Sequence, residues 1–231
     1  MKKITVIQDL SGLGKCSLTA AIPVISVMGV QAVPLPTAVL SNQTGYSSYY
    51  CDDYTEHMEQ IMDEWEKRGF SPDGIYTGFL ADEEQADKIL DFLRRFRKEK
   101  TMVLVDPVMG DNGSAYGIYT KRLREKMLQL VNHAQVITPN LTEALLLLYG
   151  KEEMEKRYAG LMELDGEKRL EQIGKIGEKL VNEYCLQAAV ITGIEYVKEQ
   201  KAAPALISGG GKWPDLLVFC PKDWGQLFGN R

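Results

Sequence analysis

Hydrophobic positions along the chain alternate between short β-branched runs and longer stretches with helical spacing. This alternation is typical of parallel strands joined by crossover helices. Strands are predicted at 4–7, 31–36, 74–78, 102–105, 135–138, 188–191 and 216–219. Helices are predicted at 16–28, 54–67, 83–96, 121–131, 141–149 and 165–184. The pattern therefore predicts an α/β fold built around a mainly parallel sheet.

Polar or glycine residues follow most of the predicted strands. They lie at 9–14, 41–45, 77–78, 106–111, 138–140 and 192–193. In a parallel sheet the carboxyl ends of the strands meet at one edge, where open α/β sheets bind ligands. The sequence therefore predicts a polar crevice suited to a small polar ligand and a phosphate-bearing cosubstrate.

The loop after the predicted strand at 102–105 places two carboxylates, Asp106 and Asp111, close to two glycines. Carboxylates can hold Mg²⁺ through water, and glycines allow phosphate to approach the backbone. A tight turn would explain the same residues. The chain has no GxxxxGK[ST] run, and Gly12 and Gly14 lack the GxGxxG spacing, so any nucleotide must be bound in another way.

Two further candidates have a purely structural explanation. The segment 8–14, which contains Asp9, is predicted to form a turn before the first helix, because Asp, Ser and Gly are ordinary turn residues. Asn140 and Glu143 have the spacing of a capping box, which would account for both residues without a function.

The chain of 231 residues carries 27 basic and 32 acidic side chains and a net charge of −5. Its 45% hydrophobic and 26% charged residues fit one globular domain over 1–231. Because the sequence has no basic run, we expect no nucleic-acid partner and a small-molecule substrate instead.

The four cysteines point to a reducing compartment. Cys16, Cys51, Cys185 and Cys220 are scattered without a CxxC pair, so we expect reduced thiols and a cytoplasmic location. The sequence contains no signal-peptide pattern and no run of about 18 apolar residues, and we expect no membrane partner.

Six segments, taken together, identify a family. VIQDLSG at 6–12, SNQTGY at 41–46, YTGF at 76–79, DPVMGD at 106–111, ITPNLTEA at 137–144 and VITG at 190–193 resemble, in order and spacing, the pyridoxal/pyridoxamine kinases of the ribokinase-like superfamily. The resemblance covers roughly residues 1–193, and SNQTGY narrows it to vitamin B6. It implies a doubly wound, mainly parallel sheet flanked by helices in three α/β/α layers.

The resemblance also implies a reaction and a set of site residues. A phosphotransferase of this family transfers the γ-phosphoryl group of ATP, with Mg²⁺, to the 5′-hydroxymethyl group of pyridoxal, pyridoxamine or pyridoxine, a salvage route to pyridoxal phosphate. The substrate contacts would be Asp9, Ser11, Thr44, Phe79 and, in a closing loop, Tyr116. Asp106, Asn140 and Glu143 would organise Mg²⁺ and the ATP phosphates, Asp106 and Glu143 at the metal, while Asp111 and Thr192 would line the ATP site.

The last part of the chain departs from the family pattern. Kinases of this family carry a GTGD segment after the strand that corresponds to 216–219, where glycines form an anion hole and the Asp is the catalytic base. No such segment follows Cys220, and Asp223 is too near the strand for that role. The catalytic residue is therefore unassigned. We expect a domain that is incomplete after about residue 222, through truncation or a changed reading frame, with impaired turnover.

Two other functions remain open. A hydroxymethylpyrimidine kinase of thiamine synthesis shares the DPV and TPN segments, although 41–46 favours vitamin B6. A non-catalytic relic that binds B6 would explain the missing base. The resemblance further suggests a homodimer with residues 33–54 near the interface.

Overall fold

The computed structural model describes residues 1–81 and 83–194, together with the backbone of residues 215–219. The chain divides into two compact units. The first contains Met1–Asp106 and Glu125–Leu130, and the second contains Pro107–Arg124 and the described residues from Val131 onward.

The first unit has five strands in the order β5-β4-β1-β2-β3. Neighbouring strands are parallel except for β3, which runs antiparallel to β2 at the edge. The strands are β1 (Lys3–Leu13), β2 (Gln31–Asn42), β3 (Cys51–Asp53), β4 (Gly74–Thr77) and β5 (Met102–Val105). The helices are α1 (Ser17–Val27), α2 (Thr55–Lys67) and α3 (Glu83–Phe96).

In the second unit, β6 (Gly110–Asp111) and β7 (Ser114–Ala115) form a short hairpin. The parallel strands β8 (Val136–Ile137) and β9 (Ala188–Ile194) are extended by β10 (Asp215–Phe219), which is antiparallel to β9. The helices are α5 (Leu141–Tyr149), α6 (Lys151–Met162) and α7 (Gly166–Glu183); α4 (Lys121–Val131) contributes residues to both units.

The core of each unit follows from helix periodicity. Helix α3 buries Ile89, Phe92, Leu93 and Phe96, the spacing of an amphipathic helix with one apolar face. The Phe92 and Phe96 rings are stacked with their centroids 4.6 Å apart. Helix α5 differs, because all its residues from Leu141 to Leu148 are buried, and after Glu143 all of these are apolar.

The predicted α/β fold with a mainly parallel sheet is confirmed, and so is the strand predicted at 216–219. The predicted turn at 8–14 is wrong, since β1 continues to Leu13 and pairs Leu10 with Val39 and Ser11 with Leu40. Backbone pairing with β2 outweighs the local turn preference of Asp, Ser and Gly. The expectations for Cys220 and Asp223 lie outside the described residues.

Gln85 is a fully buried polar residue that joins three parts of the first unit. Its Nε2 donates to the Thr37 carbonyl at 2.8 Å and to Thr55 Oγ1 at 2.9 Å, and its Oε1 accepts from the Ala81 N–H at 2.8 Å. Since a buried amide is stabilising only when it is hydrogen-bonded, this side chain ties β2 and α2 to the start of α3.

We expect Gln85→Leu to lower the free energy of unfolding by about 2–4 kcal/mol, because two buried hydrogen bonds are lost and the part-buried Ala81 N–H loses its acceptor. Urea denaturation followed by circular dichroism measures the change. Gln60→Leu, the same substitution at an exposed position of α2, is the control and should cost less than about 0.5 kcal/mol. Equal effects of the two substitutions would contradict this role for Gln85.

The carboxyl end of α5 is held by side chains from two other segments. Arg124 Nε donates to the Leu146 carbonyl at 2.6 Å, and Arg124 Nη2 donates to the Leu147 carbonyl at 2.7 Å. The Tyr184 hydroxyl donates to the Leu147 carbonyl at 3.1 Å. Burial, and next the charge of Glu183, raise the pKa of Tyr184 to about 12.

Tyr184→Phe is expected to cost about 1 kcal/mol of stability at pH 8, the usual net value of a hydrogen bond. The folded-state pKa is above the unfolded value of about 10, so the contribution of Tyr184 is complete below pH 10. It is lost as the pH rises through 12. Denaturation curves from pH 8 to 12 should show the two proteins converging, whereas Tyr50→Phe, at an exposed position, should match the parent throughout.

Candidate active site

Asp9 and Ser11 lie on β1 two residues apart, and their side chains are in contact. Both are buried, with 5% and 1% of their surface exposed. Ser11 Oγ donates to Asp9 Oδ2 at 2.8 Å. The β1–β2 register shifts between Gln8 and Leu10, an irregularity of the kind that re-aims a side chain next to a binding site.

Gln8 is a neighbour of this pair that the sequence reasoning missed. Its side chain passes so close to Gly78 that a Cβ there would lie 2.7 Å from Gln8 Nε2, which explains the glycine after β4. The Tyr76 hydroxyl is hydrogen-bonded to the same side chain. Gln8 therefore links β1 to the segment that carries Phe79, which is half-buried.

Thr44 lies in an exposed turn between β2 and β3. The two residues before the turn shape it: Ser41 Oγ accepts from the Tyr50 N–H at 2.9 Å, and Asn42 Nδ2 donates to the Ser48 carbonyl at 2.9 Å. Ser41 and Asn42 therefore hold the ends of the turn that presents Thr44.

Asp106 directly follows β5, and its N–H donates to the Thr77 carbonyl at 2.9 Å. Burial, and next the negative charge of Asp106, raise the pKa of Tyr76. The Tyr76 phenol is therefore neutral near pH 7. The first unit thus contains five predicted site residues, and the hydrogen bond between Asp9 and Ser11 joins two of them directly. The five are Asp9, Ser11, Thr44, Phe79 and Asp106.

Asn140 and Glu143 form the predicted capping box at the start of α5. Asn140 Oδ1 accepts from the Glu143 N–H at 2.9 Å, and Glu143 Oε2 accepts from the Asn140 N–H at 2.8 Å. Two backbone donors that the helix leaves unpaired are satisfied in this way. The structural explanation of these residues is confirmed.

The same two side chains also hold the loop that follows Asp106. Glu143 Oε1 accepts from the Met109 N–H at 3.3 Å, and Asn140 Nδ2 donates to the Gly110 carbonyl at 2.8 Å. Glu143 is only 4% exposed. The amino end of α5 carries partial positive charge, which favours a phosphate nearby, and this loop is fixed beside it.

The β6–β7 hairpin turns at Asn112 and Gly113, whose φ angles are +50° and +75°. Consecutive positive φ angles in an Asn-Gly pair are typical of a type I′ turn. A Cβ at Gly113 would also lie 2.4 Å from the Tyr158 ring. Thr142 Oγ1 accepts from the Gly113 N–H at 2.9 Å, a contact that sequence patterns did not indicate. Thr142 therefore fixes the hairpin that carries Asp111.

A cavity of about 180 Å³ lies at this hairpin and contains Asp111 and Asn140 in its wall. The Thr192 N–H donates to the Pro139 carbonyl at 2.9 Å, which places Thr192 beside Asn140. Three predicted ATP-site residues of the second unit are therefore brought together. The cavity is also lined by Asn112, Leu141, Thr142, Tyr158, Met162, Arg169, Ile173, Gly193 and Ile194.

Tyr116, predicted as a substrate contact, follows β7 in the second unit, and its N–H donates to the Met109 carbonyl at 2.9 Å. Its side chain is 42% exposed. The structure therefore ties the Tyr116 backbone to the same loop that Glu143 holds.

The donor set around α5 fits a magnesium ion that is held largely by waters and phosphate. Within the described residues, no group of three His, Cys, Asp or Glu side chains is arranged to enclose a metal ion. Mg²⁺ commonly takes one or two carboxylates and fills its remaining positions with water and substrate phosphates. In the second unit Glu143 could supply one such carboxylate, and Asp106, in the first unit, is the other predicted metal ligand.

Across the described residues, no helix combines the length and the apolar character needed to cross a bilayer.

Comparison with known proteins places these features in a family. A family model described as phosphomethylpyrimidine kinase matches residues 14–212. A Bacteroides thetaiotaomicron protein, provisionally described as a phosphomethylpyrimidine kinase and solved with pyridoxal, is 37% identical; the match covers 84% of this chain and 64% of that one, with a TM-score of 0.73. Pyridoxal kinase from Lactobacillus plantarum is 27% identical, with 85% and 65% covered and a TM-score of 0.69.

A pyridoxal kinase of Deinococcus radiodurans is 27% identical over 151 residues, which cover 63% of this chain and 51% of that one. The chain spans about half the length of the curated relatives that it matches. The resemblance to pyridoxal kinases and the ribokinase-like fold are confirmed by these matches. The chain belongs to the phosphomethylpyrimidine kinase family, and the relatives that it resembles in sequence and fold include pyridoxal kinases.

Proposed function

We propose that this chain supports transfer of the γ-phosphoryl group of ATP to the 5′-hydroxymethyl group of a B6 vitamer. The observation that carries the proposal is the buried Asp9–Ser11 pair, in a chain 37% identical to a protein solved with pyridoxal. A ring ligand with several polar substituents needs such oriented, desolvated partners, because a buried polar group is tolerated only when it is hydrogen-bonded.

On the substrate side, Asp9 is proposed to accept a hydrogen bond from a ring substituent of the vitamer. Ser11 holds the Asp9 carboxylate by its hydrogen bond. Phe79 would pack against the ring, while Thr44 and Tyr116 would contact its substituents from loops. Positioning of this kind supplies much of the catalysis in phosphoryl transfer, since the reacting groups must be in line.

On the phosphate side, Asn140 and the amino end of α5 are proposed to receive the ATP phosphates, with Asp111 and Thr192 lining the nucleotide site. Asp106 and Glu143 would hold Mg²⁺, which when bound neutralises the phosphate charge. The hydrogen bonds of Glu143 and Thr142 keep the segment 109–113 in one arrangement, so this side of the site is largely preformed.

The proposed substrate is tested by isothermal titration of the chain with pyridoxal, pyridoxamine, pyridoxine and hydroxymethylpyrimidine. We expect the B6 vitamers to bind more tightly. Asp9→Asn should weaken pyridoxal binding by about tenfold or more, because hydrogen bonds to a charged group contribute about 1.5–3 kcal/mol. Asp52→Asn, an exposed acid of the first unit, is the control and should bind as the parent does.

A hydroxymethylpyrimidine kinase is the second candidate function, and the family model that matches residues 14–212 favours it. Tighter binding of hydroxymethylpyrimidine than of pyridoxal would replace the vitamin B6 proposal. Pyridoxal binding without ADP release, in both this chain and a chain carrying a GTGD segment, would identify a non-catalytic B6-binding protein instead.

We also propose a homodimer formed through the first unit, with residues 33–54 near the interface, in the cytoplasm. Tyr46, Tyr49 and Tyr50 in that segment are 47%, 49% and 68% exposed. Helix α1 has no charged residue and exposes Val24 and Val27, by 60% and 89%, and Met28 directly after it is 73% exposed. Exposed apolar patches of this kind mark interaction surfaces. For the location, the cysteines Cys16, Cys51 and Cys185 are free thiols, as is usual in the cytoplasm. Sedimentation velocity should show a dimer that Val27→Glu converts to monomer, and a monomeric parent would contradict the proposal.

A further inference from the structure

The second unit contains a groove of about 610 Å³ that shares no lining residue with the candidate active site. It is bounded by α5, α6 and α7. Its floor is apolar and includes Leu145, Leu161 and Ile176, which are 0%, 7% and 9% exposed. The volume lies within the range of about 300–1,000 Å³ that small-molecule pockets occupy.

The side chains that line the groove include more cations than acids, although the whole chain has a net charge of −5. Among the lining residues, one side chain is acidic, that of Glu171, and four are basic. The cations are Arg157, Lys168, Lys175 and Lys179.

Each rim cation is paired with an acid on or beside its own helix, and the nitrogen–oxygen distances lie between 2.7 and 3.9 Å. The side chains in these pairs are between 42% and 71% exposed. Exposed pairs of this spacing contribute only about 0–1 kcal/mol, so an incoming anion can compete for the cations. The pairs are Arg157–Glu153 (2.8 Å), Lys168–Asp165 (3.0 Å), Lys175–Glu171 (2.7 Å) and Lys179–Glu183 (3.9 Å).

Tyr149 gathers two of these cations at one end of the groove. The Arg157 guanidinium lies 4.1 Å from the centroid of the Tyr149 ring, and Lys179 Nζ lies 4.5 Å from it. Lys179 Nζ also donates to the Tyr149 hydroxyl at 3.5 Å. Because cation–π contacts hold both charges against one ring, an acidic group at this end would meet two positive charges at once.

We propose that this groove binds a small organic anion with a flat or aliphatic apolar body. The body would lie over Leu161, Leu164 and Ile176, and its acidic group would contact Arg157 and Lys179. The apolar floor argues against a bare inorganic anion, and the four cations argue against a neutral ligand. The site is independent of the proposed kinase reaction, because neither its floor nor its rim includes a residue of the candidate active site.

Gly160 offers a way to fill the groove without disturbing the fold. It lies on α6 in the groove wall, and a Cβ there would meet no atom within 4 Å. Leucine has a higher helix propensity than glycine by about 0.8 kcal/mol, so Gly160→Leu should not lower stability.

The probe is 8-anilinonaphthalene-1-sulfonate, an aromatic anion, titrated by calorimetry and by fluorescence at two salt concentrations. We expect binding that weakens about tenfold or more in Gly160→Leu and in Arg157→Glu/Lys179→Glu, and that falls with added salt. N-phenyl-1-naphthylamine, the same body without the sulfonate, should bind at least about tenfold more weakly. Lys151→Glu/Lys156→Glu, with equal charge change outside the groove, is the matched control and should bind as the parent does.

Equal binding of the probe to the parent and to Gly160→Leu would overturn the proposal, as would equal affinity for the charged and the neutral probe. Sedimentation velocity on the same proteins distinguishes a macromolecular occupant. A dimer that only Arg157→Glu/Lys179→Glu dissociates would show that the groove receives a second copy of the chain, and the small-anion proposal would then be wrong.

Discussion

Joining a GTGD-containing segment to this chain is expected to raise its turnover of pyridoxal by about 10²–10⁴-fold, the usual contribution of a general base. The 231 residues contain no such segment. The resemblance assigns to it both the base that accepts the substrate proton and the glycines that contact the transferred phosphoryl group. Release of ADP, followed by a coupled assay, gives kcat for the chain with and without the segment.

The control separates chemistry from folding. A joined segment in which the GTGD aspartate is replaced by asparagine keeps the glycines and the added chain, so it should restore ATP affinity while kcat stays low. Pyridoxal affinity should be similar in all three proteins, because Asp9 and Ser11 are already buried and hydrogen-bonded in the chain as it stands. If the unextended chain turns over at about 1–100 s⁻¹, as kinases commonly do, another residue is the base.

Helices with a strong pattern could be predicted almost to the residue. Helix α3 begins and ends where its apolar spacing indicated, and α5 begins directly after the Asn140 cap. Helix α6 was missed although its residues favour helix, because it buries only Met154 and Leu161 and so has little hydrophobic period to detect. The predicted end of β1 was wrong because the residues after position 7 favour a turn by themselves. Only their pairing with β2 makes them part of the strand.

The candidate site likewise contains residues that the sequence predicted and residues that it did not. Motifs predicted Asp9, Asn140 and Glu143, and the structure gives each a definite hydrogen-bonding role. Gln8 and Thr142 were not predicted, since their contacts reach across 70 and 29 positions of the sequence, to Gly78 and Gly113. A side chain whose partner is that distant leaves no periodic signal. Gly78 and Gly113 were the available signal in the sequence, because a glycine in such a loop usually has a conformational or steric reason.

Glu143 provides the sharpest test of the phosphate side, because its carboxylate serves the fold and is also proposed to serve the metal. Glu143→Leu is expected to lower the free energy of unfolding by about 3–5 kcal/mol, since the part-buried N–H of Asn140 and the buried N–H of Met109 lose their acceptor. The helix keeps the Asn140 cap but loses the reciprocal half of its capping box. Glu143→Gln keeps one acceptor oxygen and should cost only about 1–2 kcal/mol. Urea denaturation of the two variants measures both values.

The glutamine variant then distinguishes a cap from a metal ligand. If the carboxylate helps to hold Mg²⁺, Glu143→Gln should raise the Mg²⁺ concentration needed for half-maximal ATP binding by about tenfold, more than its small loss of stability explains. Asp165→Asn is the matched control, because Asp165 caps α7 through the Lys168 N–H at 2.9 Å and lies outside the candidate site. It should lose a little stability and leave the Mg²⁺ dependence unchanged. An unchanged Mg²⁺ dependence in Glu143→Gln would show that Glu143 is a helix cap alone, and would leave Asp106 as the proposed carboxylate for the metal.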